Sequence, residues 1–310
     1  MTKITLPEKF THQYFKSILN EMQLLFRSEG RLIEGVFLDA SNIRKVNILG
    51  LLLIYKFLEY SILKNCFNRP ACNVFRNTTI LEHVDKYGFK PFMQMFVNST
   101  IPSDYSIKFN KTDGIFVAPM VLHRGLSKEK TEEQYKSKIS DYYSYNSQIS
   151  FIVLLSVGEI ASNFSEHAVD DTKSILVASG NRDYFEIACA DTGNGVISTL
   201  SPCLENERKQ GYQVLMQSML RGVSSKLNDG HMGYGLWLIN QIIEGTRGEL
   251  LICSEGAYVY RRGKRINKGE CGYWKGTIVY LRIYLTNESM LQSVIDNWKR
   301  MFLKHKIQRV

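Results

Sequence analysis

Hydrophobic and polar positions along this chain repeat with two periods, and the switches between them mark out its elements. Near the C-terminal end Val279, Leu281, Ile283 and Leu285 alternate with Tyr280, Arg282 and Tyr284, the period of two of a strand with unlike faces. Further strands are expected at Ser174–Ala178, Tyr184–Ala190 and Glu249–Cys253. Between Phe151 and Ala168, Val153, Val157, Ile160 and Phe164 recur at helical spacing, leaving Ser156, Glu159, Asn163 and His167 for the opposite face. A second helix is expected over Gly235–Glu244. Helix, two strands, a variable segment, helix and two more strands together predict an α/β sandwich with a largely antiparallel sheet.

Upstream, Val36-Phe37-Leu38 reads as a buried strand and Ile48–Leu63 as a strongly apolar helix with Gly50 near its start. Cys72–Phe75 followed by Thr79–Tyr87 repeats the strand-then-helix order. Around Lys128–Glu133 and Asp141–Asn146 the composition turns polar. This reading divides the chain into an α/β unit over 1–120, a polar connector over 121–149, a second unit over 150–286 and a tail over 287–310. In the tail Leu291, Val294, Ile295, Trp298, Met301 and Phe302 form an apolar stripe, expected to pack on its own domain or to serve a homodimer or partner contact.

Composition narrows the picture. At 44% hydrophobic and 12% aromatic, the 310 residues carry enough apolar surface for real cores, which excludes a disordered chain. The purely apolar runs Ile48–Tyr55 and Phe151–Leu155 are far shorter than the roughly 20 residues of a bilayer span. The first residues lack an apolar signal core, so no membrane association and a cytoplasmic location are expected. Six cysteines without a C-x-x-C pair point to reduced thiols rather than a zinc site or a disulfide framework. The net charge of +9 leaves nucleic acid open as a weakly supported partner.

Four short stretches carry candidate chemistry. Glu159 and Asn163 lie four apart on one helix, so a carboxylate able to direct water and an amide oxygen suited to a hard cation share one site. Asp191-Thr192-Gly193-Asn194-Gly195 follows a strand; its carboxylate can accept an exocyclic amine, and its glycines let backbone approach a flat ring. Gly230-His231-Met232-Gly233-Tyr234-Gly235-Leu236 opens a helix whose first N–H groups suit phosphate oxygens. Lys275-Gly276-Thr277 starts the last strand, with a hydroxyl turned toward the Asp191 loop.

In this order the four stretches resemble the boxes of the GHKL superfamily, the ATP-binding domains of type II topoisomerases, ninety-kilodalton heat-shock chaperones, histidine kinases and mismatch-repair ATPases. The likeness runs from about Phe151 to Leu285 and implies a Bergerat-type α/β sandwich that binds ATP and Mg²⁺. By that resemblance Glu159 is the general base, Asn163 the Mg²⁺ ligand and Asp191 the reader of the adenine amino group. Gly193 and Gly195 lie beneath the base, Gly233 and Gly235 hold phosphates with Tyr234 and Leu236 between and after them, and Thr277 shares a bound water with Asp191. Arg221–Lys226, with Ser224, Ser225 and Lys226 as nucleotide contacts, resembles the ATP lid, which would run from about Val196 to Met232.

Departures from the family pattern shape the functional expectation. None of the six histidines is followed by the Glu/Asp and Pro of a histidine-kinase phosphoacceptor, and only 24 residues follow Thr286, where topoisomerases place a transducer domain. Any Lys or Arg finger is therefore expected from this domain, the N-terminal unit or a protein partner. Asp39–Leu51 is similar to the STAS signature of anti-sigma-factor antagonists, but Ile48 stands at the phosphoacceptor position, so a STAS-like unit would lack its phospho-switch. The expectation is an ATP-hydrolysing switch whose lid governs association with itself or a partner. The alternatives are an anti-sigma-like serine/threonine kinase and a non-hydrolysing ATP-gated scaffold on nucleic acid.

Overall fold

The computed structural model describes residues 2–27, 36–63, 71–89, 114–122, 128–167, 174–204, 209–225, 233–286, 290–296 and 299–300. The chain opens with β1 (Thr2–Thr5), β2 (Lys9–Phe10), a 3₁₀ turn at His12–Tyr14, α1 (Phe15–Met22) and α2 (Leu24–Arg27). Then come β3 (Val36–Asp39), β4 (Lys45–Val46), α3 (Ile48–Leu63), β5 (Ala71–Cys72) and α4 (Thr78–Lys86). The second half begins with β6 (Ile115–Leu122), α5 (Lys128–Tyr142), α6 (Ser147–His167), β7 (Ser174–Gly180) and β8 (Tyr184–Ala190). It continues with α7 (Val196–Leu200), α8 (Gly211–Ser218), α9 (Gly235–Gly245), β9 (Glu249–Ser254), β10 (Ala257–Arg262), β11 (Arg265–Glu270) and β12 (Thr277–Tyr284).

A seven-stranded sheet in the order β11-β10-β9-β12-β8-β7-β6 is the centre of the fold, and every neighbouring pair in it is antiparallel. Two small parallel sheets, β1-β3-β5 and β2-β4, belong to the N-terminal layer. The molecule is thus a mixed α+β fold. The sequence boundary at 120/121 cuts through β6, which the structure instead pairs with β7 as the edge of the large sheet. Polarity concealed this, because α5, read as part of a connector, packs under that edge with Tyr135 and Ile139 buried while Glu133, Lys136, Lys138 and Asp141 face outward.

Both faces of the large sheet are covered. Leu176, Ile187, Leu250, Ile252, Val279 and Leu281 point toward α5, α6 and α9, whereas Ile175, Val177, Ala188, Leu251, Ile278 and Tyr280 point toward the N-terminal layer. Helix α3 lies between this second face and the small sheet, which explains why it is apolar around its whole circumference rather than along one stripe. Each buried Leu, Ile or Phe on it contributes roughly 1.5–3 kcal/mol before chain entropy is charged against it. Gly50 permits the close docking: a β-carbon there would meet Phe10 Cδ1 at 2.8 Å and Val46 Cγ2 at 2.9 Å.

Helix α6 follows its predicted stripe, with Ile152, Val153, Val157, Ile160 and Phe164 in the core. Ser156, expected opposite that stripe, is instead fully buried and returns its hydroxyl to the Ile152 carbonyl at 2.8 Å. Among the described residues, Ser147–Ser165 is the one stretch of helix long and apolar enough to cross a bilayer, and half of it is buried inside this core. The side chain of His167 lies outside the described residues. Of the tail, residues 290–296 are helical, and Leu291, Val294 and Ile295 join the core on the α9 side.

Candidate functional site

A cleft of about 770 Å³, its open mouth included, lies where β8, β12, α6 and the start of α9 meet. That volume suits a drug-sized or nucleotide-sized ligand. Asn163, Asp191, Ser224, Ser225, Gly233, Gly235, Leu236 and Thr277 all line it, so the structure gathers eight of the residues singled out from sequence into one space. Asn194, Val196, Thr199, Leu200, Phe164 and Val279 complete much of the wall. Sequence spacing gave no sign of these mostly apolar neighbours, because nothing distinguishes them from core residues.

At one end Asp191 stands directly after β8. Its Oδ1 accepts the Gly193 N–H at 2.8 Å, its backbone N–H donates to the Thr277 carbonyl at 3.0 Å, and its carbonyl accepts the Trp274 indole N–H at 2.8 Å. Burial pushes the Asp191 carboxyl up to about 6, against the pull of the Gly193 N–H and the positive charge of Lys56. A half-buried carboxylate lining a cleft with its charge disfavoured is a candidate functional group. Lys56 comes from the other side of the sheet, where it is fully buried on α3 and ion-paired with Glu59.

Glycine 276 completes this end. Its φ of +93° is a backbone conformation that side chains rarely adopt, and a β-carbon there would strike the Asp191 carboxylate and come within 2.9 Å of the Gly193 nitrogen. Gly195, expected beneath the base, also has a packing requirement of its own. It does not line the cleft; a β-carbon on it would collide with Ser254 Oγ and the Glu255 carboxylate, so protein packing alone requires glycine there. Gly193 likewise acts by closing the loop on Asp191 rather than by lining the cavity. Thr277 donates its place in the wall and uses its hydroxyl oxygen to accept the Val196 N–H at 3.2 Å.

At the other end the N-terminus of α9 meets α6. A β-carbon on Gly235 would lie 2.9 Å from Glu159 Oε2, 2.9 Å from Asn163 Nδ2 and 3.0 Å from Asn163 Oδ1. Absence of that carbon brings a carboxylate, an amide and the free N–H groups of a helix start into one spot. Buried Nδ2 of Asn163 has no hydrogen-bond partner among the described residues and faces the start of α9. Glu159 lines a smaller adjoining cavity with Tyr135 and Lys136 rather than the cleft itself, its carboxylate reaching the α9 start from the side.

Between these ends, Gly233 has φ +63° and its carbonyl accepts the Gly222 N–H at 3.1 Å, pinning residues 222–225 along the cleft wall. Tyr234 turns away from the cleft into a cluster with Arg221 and Trp237, its ring centroid 5.2 Å from the guanidinium. Lys226 lies outside the described residues. Much of the segment read as a variable lid is helix: α7 and α8, the latter anchored by Val214 and Leu215 and started by a Gln210–Gln213 capping box. Set against known proteins, the chain matches no family model, no curated protein and no solved structure.

Proposed function

We propose that this cleft binds ATP in the manner of the GHKL superfamily and that the protein is a magnesium-dependent, ATP-hydrolysing switch. The large sheet with α6 and α9 would form the Bergerat-type sandwich and the N-terminal layer a STAS-like unit. The observation that carries this reading is the convergence of Glu159 and Asn163 on Gly235 at the start of α9, with Asp191 and Thr277 in the same cleft. One end is suited to an exocyclic amine and the other to phosphates, with apolar walls between.

In this reading Asp191 accepts the adenine amino N–H, and Val196, Leu200 and Val279 keep water from the base. The unsatisfied N–H groups at the start of α9, with Gly233 and Gly235 leaving room for close approach, hold phosphate oxygens. Asn163 fits as the cation ligand through Oδ1; Mg²⁺, when bound, supplies positive charge against the phosphates. Glu159 would orient a water and take its proton as the water attacks the terminal phosphorus and the bond from that phosphorus to the bridging oxygen breaks, ADP leaving. Ile48, fully buried at the first residue of α3, offers no hydroxyl for phosphoryl transfer within the chain, which favours hydrolysis over self-phosphorylation there.

Phosphate release and ATP binding, measured on wild type and Glu159→Ala with Mg²⁺, test this proposal. Binding in both with release from wild type alone is the expected result. No ATP binding by wild type overturns the reading, and equal release from both removes Glu159 from the reaction.

A further inference from the structure

The far end of α9, about 16 Å from the start of the helix, opens onto a second and larger depression. It encloses about 2440 Å³, mouth included, and its rim holds Arg247, Arg262, Lys264 and Arg265. All four side chains are exposed. Among the described residues, Arg247, Lys264 and Arg265 form no ion pair, and Arg262 reaches only the buried Glu249, at 3.8 Å. The one carboxylate in the lining, Glu244, is neutralised by Arg261 at 2.8 Å.

Backbone geometry gathers these cations at a cost. Gly248 N–H caps the Ile243 carbonyl at 2.9 Å, closing the end of α9 in an arrangement whose left-handed position usually takes glycine. Here that position is Arg247, at φ 53°, where a β-carbon costs roughly 1–2 kcal/mol. Its backbone packs against Gly263, and Gly263 N–H donates to the Gly248 carbonyl at 2.8 Å, tying the β10–β11 turn to the α9–β9 turn. Within that turn Arg262 and Arg265 stand directly opposite each other in register, a like-charge pair that destabilises a hairpin. Strain and repulsion thus fall on the very side chains that rim the groove, as expected where an anion is to be received.

We propose that this groove binds the phosphate backbone of double-stranded nucleic acid. A run of exposed guanidinium and ammonium groups around a polar depression of this size matches a repeating phosphate array, with arginine suited to bidentate contact. Tyr284 is the one aromatic among the described lining residues, and its hydroxyl is committed to Glu249 at 3.0 Å. Without a free stacking platform the groove suits a duplex backbone rather than unstacked single strands.

Fluorescence anisotropy with a labelled duplex DNA of about 30 base pairs tests the proposal, comparing wild type, Lys264→Ala/Arg265→Ala and Arg247→Ala. Four engaged cations predict a log–log salt slope near −3.6, or about 150-fold weaker binding at 200 mM than at 50 mM salt. The double variant should flatten that slope by about 2, and Arg247→Ala by about 1, while melting temperature stays at or above the wild-type value. Asp191→Asn should bind duplex as wild type does, which keeps this result separate from that of the ATP cleft. Lack of duplex binding by wild type at 50 mM salt, an unchanged slope in the double variant, or tighter binding of polyglutamate, single strands or phosphatidylserine vesicles overturns the proposal.

Discussion

The two faces of the large sheet handle buried polar groups in opposite ways. Beneath the N-terminal layer most of the polar atoms satisfy one another, the Arg282 Nε being an exception among the described residues. His12 Nε2 pairs with Glu249 Oε2 at 2.7 Å, the Tyr260 and Tyr284 hydroxyls donate to the same carboxylate, and the His12 ring stacks on Tyr280 at 4.3 Å. Tyr280 then donates to Glu186 at 2.6 Å, which Arg282 and Ser179 also bond. On the cleft face, polar groups are left with unmet capacity: Asn163 Nδ2 lacks a partner and the Asp191 carboxyl is pushed up by burial. A densely bonded network of this kind holds a fold together, whereas a buried carboxyl and amide with unmet capacity are the pattern a ligand site would show.

Substitutions should separate the faces, the largest effect coming from the network. Glu249→Ala strands His12 and two tyrosine hydroxyls, so urea denaturation should show a loss of about 3–5 kcal/mol; a loss below about 1 kcal/mol would erase the contrast. Asp191→Asn should weaken ATP binding by about 100-fold in calorimetry, as a charge-assisted hydrogen bond is lost, while leaving stability unchanged or higher.

Acid should likewise act on the two faces with opposite sign. Burial disfavours the Glu249 charge, but the His12 hydrogen bond and charge with the tyrosine hydroxyls outweigh it and hold this carboxyl down at about 2. It therefore contributes stability above pH 4.5 that is lost as pH falls toward 2. Asp191 is raised, so its charge penalty is absent below pH 3.8, grows up to about pH 6 and stays above it. Wild-type ATP affinity should rise with pH through about 6 as that carboxylate forms. Denaturation midpoints of Glu249→Gln and Asp191→Asn against wild type between pH 3 and 7 would show whether the two trends diverge.

The smallest stability effect is expected at Gly235→Ala. A methyl there presses on movable side-chain ends of Glu159 and Asn163, and the gain in helix propensity of about 1 kcal/mol offsets the crowding. Phosphate release should nevertheless fall at least tenfold, about 1.4 kcal/mol in the barrier, because the phosphate-facing space is filled. Wild-type turnover would show that the space at Gly235 is not used.

Much of the second half was legible because its elements are long and strongly periodic. The strand at Tyr184–Ala190 and the helix opening at Gly235 stand where the pattern placed them, and the residues at their ends meet in one cleft. Alternation on β12 was also legible, but not its meaning: Tyr280, Arg282 and Tyr284 read as the polar face of a half-exposed strand. The structure covers that face with residues more than two hundred positions away, as the His12–Glu249 pair illustrates. Such coverage leaves no local trace in sequence. Short strands such as β2 and β4, two residues each, carry no period, and β6 was assigned to the wrong side of a boundary because its partner β7 lies across a polar helix.

The most direct test is calorimetric titration of ATP with Mg²⁺ into wild type and Asp191→Asn, with the urea midpoint of each measured on the same preparations. The account predicts ATP binding by wild type, binding weakened by about 100-fold in the variant, and a variant midpoint at or above that of wild type. Wild-type affinity in the variant, or a midpoint that falls together with binding, would place Asp191 among the residues that hold the fold rather than those that hold the nucleotide.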